Sequence, residues 1–425
     1  MIAKPEPVSS DTSMATPTTG VRVGVVLACL LGNCISPTPV VITTLGLFLI
    51  PISHEFRWPR EEVSGVLTLL AVVSAMAFPI VGRLADHFGP RRPILLGNLC
   101  FGVCVIALGF STSNVFLFYG IFALIGFFGS FPSTMMYNRV ISGWFDNARG
   151  TMLGLTAGLG NGVGATVVPF LALILMNASS WRGAFIGLGV IVIAIGFPAF
   201  LFLLKEPPLA GHGKTSSAHL LIGMTFAQAT RTLSFWLMLI SFGLGSGCLT
   251  ALLPHVVPIL SDRHFPTGEA VTVVSVFGMV GAGWMVVVGL LLDRINSPKI
   301  IAPLYLVSVA GTLVLEHGTT LPALIAGGAM MGIGLGTEFG ALSYLISRIF
   351  GLPRFGIIAG VMYSVVIISQ GVTPYLMDVD FDHNRSYLLS LHVIEAALIV
   401  GAAIIACLPR YEATTALWQK ISSPT

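Results

Sequence analysis

Gly82-Arg83-Leu84-Ala85-Asp86-His87-Phe88-Gly89-Pro90-Arg91-Arg92 joins two long apolar runs, and its Gly-x-Leu-x-Asp frame returns 207 residues later at Gly289-Leu290-Leu291-Leu292-Asp293. Working outward, Phe145 followed by Arg149 recurs as Phe350 followed by Arg354 at an offset of 205, and Tyr137 matches Tyr344 at 207. One such echo means little. Three at nearly one offset, at corresponding places along the chain, indicate a duplicated unit. Each Asp closes an apolar run where a polypeptide leaves a non-polar layer, so the repeated loops mark one edge of that layer.

Composition says what the layer is. Of 425 residues, 55% are hydrophobic and 9% charged, against about 25% charged in a soluble domain; mean hydropathy is +0.92. So few charges cannot build a water-facing surface, and most of the surface must face lipid. A span needs about 20 mostly apolar residues. Twelve fit, at 22–50, 61–82, 93–111, 115–138, 150–176, 182–204, 235–260, 270–292, 299–316, 320–347, 355–376 and 386–408. The widest break holds Lys205-Glu206-Pro207-Pro208 and a Gly-His-Gly-Lys-Thr-Ser-Ser run. The expected organisation is a disordered tail (1–20), a six-helix bundle (21–204), a linker (205–234), a second six-helix bundle (235–408) and a second tail (409–425). With the termini and the linker in the cytoplasm, 16 of the 21 Lys and Arg lie inside, Lys4, Lys214, Arg410 and Lys420 among them. Only Arg57, Arg60, Arg182, Arg263 and Arg385 lie outside, as the positive-inside rule requires. A multi-pass protein of the cell membrane with both termini cytoplasmic is expected, and a monomer. The net charge of +3, with no basic patch, gives no nucleic-acid signal. The six cysteines all sit in apolar runs without metal or disulfide spacing and read as packing residues. No nucleophile motif, metal cluster or phosphate loop is present, so neither an enzyme, a metal nor a cofactor is expected.

The loop 82–92 closely resembles the signature loop between the second and third helices of the major facilitator superfamily. Within it, the chain is most similar to the monocarboxylate transporter and oxalate–formate antiporter branch. The supporting segments are Phe56-Arg57-Trp58-Pro59-Arg60-Glu61-Glu62, Trp144-Phe145-Asp146-Asn147-Ala148-Arg149-Gly150, Ser180-Trp181-Arg182-Gly183-Ala184-Phe185, Pro254-His255-Val256-Val257-Pro258 and Ser347-Arg348-Ile349-Phe350-Gly351. The resemblance, running from Val23 to Arg410, implies an all-α membrane fold of twelve transmembrane helices in two pseudo-symmetric bundles. It also implies a cavity lined by spans 1, 4, 7 and 10. One position departs: carboxylate carriers of this branch often have an Arg in span 8 four residues before the signature glycine, and here Met285 stands there after Trp284. Nor is there a Lys or Arg in span 1 between Arg22 and Arg57, or in span 11 between Arg354 and Arg385.

Candidate site residues follow from depth and helical spacing. Asp86 is expected to reach the start of span 11 near Gly356, and Asp293 the start of span 5 near Gly150, where free N–H groups and a partial positive charge attract a carboxylate. With Arg91, Arg92, Arg139, Arg149, Arg294, Arg348 and Arg354 these form an expected cytoplasmic gate, the alternative being topology anchors. Ser130, Ser133, Thr134 and Tyr137 share a face of span 4; Thr337, Ala341, Tyr344 and Arg348 share one of span 10. Such stripes line a cavity or join helices. Asn33, Tyr363 and Gln370 add polar groups from spans 1 and 11, and Trp284 an aromatic floor. Glu338 lies ten residues before Arg348, about 15 Å from the membrane edge; a carboxyl at that depth with no cation in its span suits proton binding or substrate contact. His255, flanked by Pro254 and Pro258, is a second candidate for proton coupling or an anion partner. His392 and Glu395, three apart in span 12, read as a structural pair. Gly154, Gly158 and Gly162 permit close helix approach.

Together these residues point to a secondary transporter of a small organic acid, mono- or aromatic, moved by alternating access with protons. A carrier of a neutral or cationic solute with Glu338 as counter-charge is the alternative. A solute receptor that does not transport is a third class.

Overall fold

Among the described residues, twelve helices are long and apolar enough to cross a bilayer, as the hydropathy pattern requires. They are seen in a computed structural model described for residues 19–206, 223–295, 297–409 and 411, the side chains of residues 60, 61 and 64 excepted. The expected tails therefore fall almost wholly outside the described residues, as do 207–222 of the expected linker and the charges Lys4, Lys214, Arg410 and Lys420. The helices are α1 (Thr19–Phe56), α2 (Gly65–Phe88), α3 (Arg91–Leu108), α4 (Val115–Trp144), α5 (Arg149–Ala178), α6 (Trp181–Phe202), α7 (Leu233–Asp262), α8 (Thr267–Arg294), α9 (Pro298–His317), α10 (Leu321–Ile349), α11 (Phe355–Asn384) and α12 (Leu388–Ala406). They form two six-helix bundles, α1–α6 and α7–α12. Because the number is even, both described chain ends lie on one side, the terminus side; the opposite side is the far side.

Phe110, Phe170 and Phe202 are each 69% exposed. Faces this apolar are lipid-facing, since a water-soluble surface does not carry them as a continuous belt. Between helices, lipid supplies no hydrophobic drive, so close contact rests on small residues. The two bundles meet where α2 crosses α11 and α5 crosses α8. Gly82 lies against the Gly356 carbonyl and Gly289 against that of Gly150; any Cβ at these positions would run into backbone.

The cores show where the halves are joined. One buried cluster contains Val81, Met136, Val288, Leu345 and Phe355 and so belongs to both halves, on the terminus side. A second, with Phe48, Phe118, Phe122 and Phe185, lies wholly within α1–α6. A third, with Leu252, Phe277, Leu324 and Leu398, lies wholly within α7–α12. The halves share one core on the terminus side and keep separate cores towards the far side.

Within the first half, α1 and α4 break in mid-span. α1 breaks after Cys34 and resumes as a wide turn over Thr38–Ile42, and α4 breaks between Gly129 and Thr134. Pro37, Pro39 and Pro132 lack the N–H groups that would carry the helix through. Backbone freed in this way is tolerated at membrane depth only where protein or a cavity satisfies it. A further wide turn, Leu155–Leu159, interrupts α5 beside them.

Candidate functional site

On the terminus side, each signature aspartate caps a helix of the other half. Asp86 accepts N–H groups from Gly356 at 2.8 Å and Ile357 at 2.9 Å, at the start of α11. Asp293 accepts those of Gly150 at 2.8 Å and Thr151 at 2.7 Å, at the start of α5, and the Thr151 hydroxyl at 2.7 Å. The first four N–H groups of a helix have no partner within it, so each carboxylate fills a vacancy and meets the positive end of the helix dipole. Arg139 pairs with Asp86 at 3.2 Å, with the Asp86 side chain 1% exposed. Asp146, in the turn before α5, pairs with Arg149 at 3.1 Å and, across the halves, with Arg348 at 2.9 Å. Arg149 also donates to the Ser347 hydroxyl of α10 at 3.1 Å. Arg91 instead stays within its own half: its backbone N–H binds Glu206 and its guanidinium the Leu201 carbonyl. Burial raises the Glu206 carboxyl above the usual carboxylate range, against the pull of the Arg91 N–H and of the charges of Arg91, Arg139 and Arg92. Arg92, Arg294 and Arg354 are exposed on this side.

Deeper in, the polar candidates fall into separate groups. Asn33 accepts the Thr134 hydroxyl at 2.7 Å and the Asn161 amide at 3.2 Å; Asn161 also donates to Thr134 and takes a bond from Ser36. This cluster sits beside the interrupted stretches of α1, α4 and α5. A second group bridges the halves: Asn138 of α4 donates to Ser343 of α10 at 2.9 Å and to Tyr363 of α11 at 3.4 Å, and Ser343 and Tyr363 are 2.9 Å apart. In the second half, Trp284 donates to Thr337 at 3.1 Å and Gln370 to Ser246 at 2.7 Å.

Other candidates face elsewhere. Glu338 is 2% exposed and accepts the Tyr305 hydroxyl of α9, with α7 alongside at Gly245. It therefore sits inside the second bundle, and its other oxygen has no hydrogen-bond partner among the described residues. His255, near the far side, binds the Ala251 carbonyl at 2.7 Å and Asp378 of α11 at 3.0 Å. Ser130 donates to the Gly126 carbonyl of its own helix. Tyr137 is buried inside the first bundle against Gly32 and Phe200, and Tyr344 donates to the Leu292 carbonyl. The α5 glycines Gly154, Gly158 and Gly162 lie along α8 at Met285 and Ala282.

Asn138, Asn161, Ser343 and Tyr305 were not among the sequence candidates. Asn138 had a usable signal: it stands four residues after Thr134 and so shares its face. Asn161 had a weaker one, a single amide within an apolar span.

The sequence model of the Major Facilitator Superfamily matches residues 29–374. An uncharacterised transporter of that type from Bacillus subtilis, YcxA, is 24% identical over 375 residues, covering 85% of this chain and 89% of its own. Monocarboxylate transporter 13 of Bos taurus is 24% identical over 394 residues, covering 87% and 86%. Among solved structures, the E. coli fucose:proton symporter FucP superposes with a TM-score of 0.66 at 14% identity, over 96% of this chain and 100% of that one.

Proposed function

We propose, for a chain that belongs to the Major Facilitator Superfamily, a secondary active carrier that moves a small organic acid together with a proton by alternating access. The observation that carries the reading is the shared core on the terminus side beside the separate cores towards the far side. Two rigid bundles joined at one end can rock about the polar layer between them. The aspartate–helix contacts then act as latches that hold the terminus side closed and let go when the far side closes. By the positive-inside bias, the terminus side is cytoplasmic and the membrane that of the cell.

The acid and the proton rest on three points. A relative matched over most of its length is a monocarboxylate transporter. The side chains of the middle layer (Asn33, Thr134, Asn161, Trp284, Tyr363 and Gln370) are neutral, and the arginines of the latches lie at the helix ends. A carboxylate taken in without a fixed cation is costly at this depth unless a proton travels with it. Glu338, buried and facing Tyr305, is the residue we assign to hold that proton, and His255 with Asp378 is its partner nearer the far side. Uptake of labelled carboxylates into proteoliposomes under an imposed pH gradient tests this. We expect gradient-driven uptake that Glu338→Gln uncouples from the gradient; no carboxylate uptake under either gradient sinks the reading.

One observation favours the second reading, a cationic solute. Asp262, Asp378 and Asp382 are exposed on the far side of the second half. They surround Tyr387, whose hydroxyl is raised first by burial and then by these three charges. An acidic mouth draws cations. Uptake of a cation that Glu338→Gln abolishes selects that reading.

A further inference from the structure

At the far-side ends of α9 and α12 lies a group of side chains that transport does not use. Glu316 is next to last in α9; His392 and Glu395 occupy one face of the first turns of α12. One donor atom from each lies within 4.8 Å of the other two. His392 Nε2 is 3.2 Å from Glu316 Oε1, and the neighbouring His317 Nε2 is 3.6 Å from that same oxygen. The Glu316 side chain is only 7% exposed and Glu395 only 8%. Each carboxylate keeps a buried oxygen with no hydrogen-bond partner among the described residues: Oε2 of Glu316 and Oε1 of Glu395.

Pairing within α12 does not account for this. Two carboxylates held this close repel each other, and a buried acceptor left without a donor is costly. No Lys or Arg ion pair to either glutamate is formed among the described residues. A divalent cation would answer both carboxylates at once. We propose that Glu316, His392 and Glu395 form a binding site for a zinc-class divalent cation that ties α9 to α12.

The donor set decides the class of ion. One imidazole nitrogen and two carboxylate oxygens suit zinc and its transition-metal neighbours; magnesium and calcium prefer an all-oxygen shell. Ligand bonds of about 2.0–2.1 Å place tetrahedral donors about 3.3 Å apart. The present spacing, at most 4.8 Å, thus needs a contraction within reach of side-chain rotation. A fourth position is open to water or to His317. His392 and His317, with side chains 55% and 70% exposed, give the ion a way in at the membrane surface.

The test uses the purified full-length protein, stripped with a chelator, with bound zinc counted after equilibrium dialysis and thermal unfolding followed by fluorescence. We expect one saturable zinc per chain and a rise of several degrees in unfolding temperature, with no rise for magnesium. His392→Ala, at an exposed position that folding tolerates, should weaken binding at least 10-fold and abolish the thermal shift, and Glu395→Gln should do the same. The absence of saturable zinc, or full binding retained in both variants, overturns the proposal.

Discussion

Asp86 and Asp293 stand 207 residues apart at the same turn of matched helices, and each accepts two backbone N–H groups from a helix that starts in the other half. Their surroundings differ. Asp86 is nearly sealed, and the cation that compensates it is Arg139, which itself lies over the Phe355 ring at 5.7 Å. Asp293 has the Thr151 hydroxyl as its third partner. The duplicated unit therefore solves one electrostatic problem in two ways, with a direct buried ion pair at the α2–α11 crossing and, at α5–α8, with hydrogen bonds backed by the more distant charges of Arg149 and Arg348. Removing one member of a buried ion pair strands the other, at about 3–5 kcal/mol. Removing a carboxylate acceptor that has no direct ion pair costs about 1.5–3 kcal/mol. The two latches should fail unequally.

The largest effect is expected from Asp86→Ala. It leaves Arg139 buried beside two unfilled N–H groups, so the closed terminus side should lose more than about 100-fold in population, at about 1.4 kcal/mol per tenfold. Spin labels at Arg92 and Arg294, exposed on opposite halves, read this as a shift to long distances. Asp293→Ala should produce the same shift at about a tenth of that strength. Equal shifts would break the comparison, and a larger one at Asp293 would reverse it. A second pair of changes sharpens it. Arg139→Met should open the α2–α11 side strongly, since Asp86 then stays buried without its cation. Thr151→Val, which removes a single hydroxyl donor, should cost about 1 kcal/mol and shift the same distances only slightly.

The aspartate–helix contacts were legible because an aspartate ending an apolar run, twice, at one offset, has few structural uses. The matching glycines were legible in part. Gly150, Gly154 and Gly158 are echoed at an offset of 206 by Gly356, Gly360 and Ser364, and both rows pack against the opposite half. A search for that echo would have found the second crossing. The middle layer was less readable. Helical spacing sets Thr337, Ala341 and Tyr344 on one face and turns Glu338 about 100° away from Thr337, yet spacing does not say that α9 and Tyr305 lie on that other side. Ser130 shares a stripe with Thr134, but its hydroxyl is taken by its own helix, a choice that depends on side-chain rotation. Pro37, Pro39 and Pro132 stand at the broken stretches, but prolines alone do not mark breaks, since Pro254 and Pro258 lie inside an unbroken α7; that Asn33, Thr134 and Asn161 meet beside the breaks required the fold.

A third contact between the halves supplies the lower limit of the comparison. Asp146 reaches Arg348 at 2.9 Å, but its side chain is 71% exposed, so water competes for both charges. Exposed pairs contribute about 0.2–1 kcal/mol, and Asp146 is shared besides with Arg149. Asp146→Asn should therefore move the spin-label distances least of all the changes considered. What remains of the effect should vanish in about 1 M salt, where the screening length falls to about 3 Å. The Asp86 contact, sealed from solvent, should not respond to salt in the same titration. If the closed state of the unsubstituted protein weakens with salt as much as Asp146→Asn weakens it, the exposed pair accounts for the salt response. A salt response well beyond that places Asp86 in reach of ions and removes the distinction between a sealed latch and an open one.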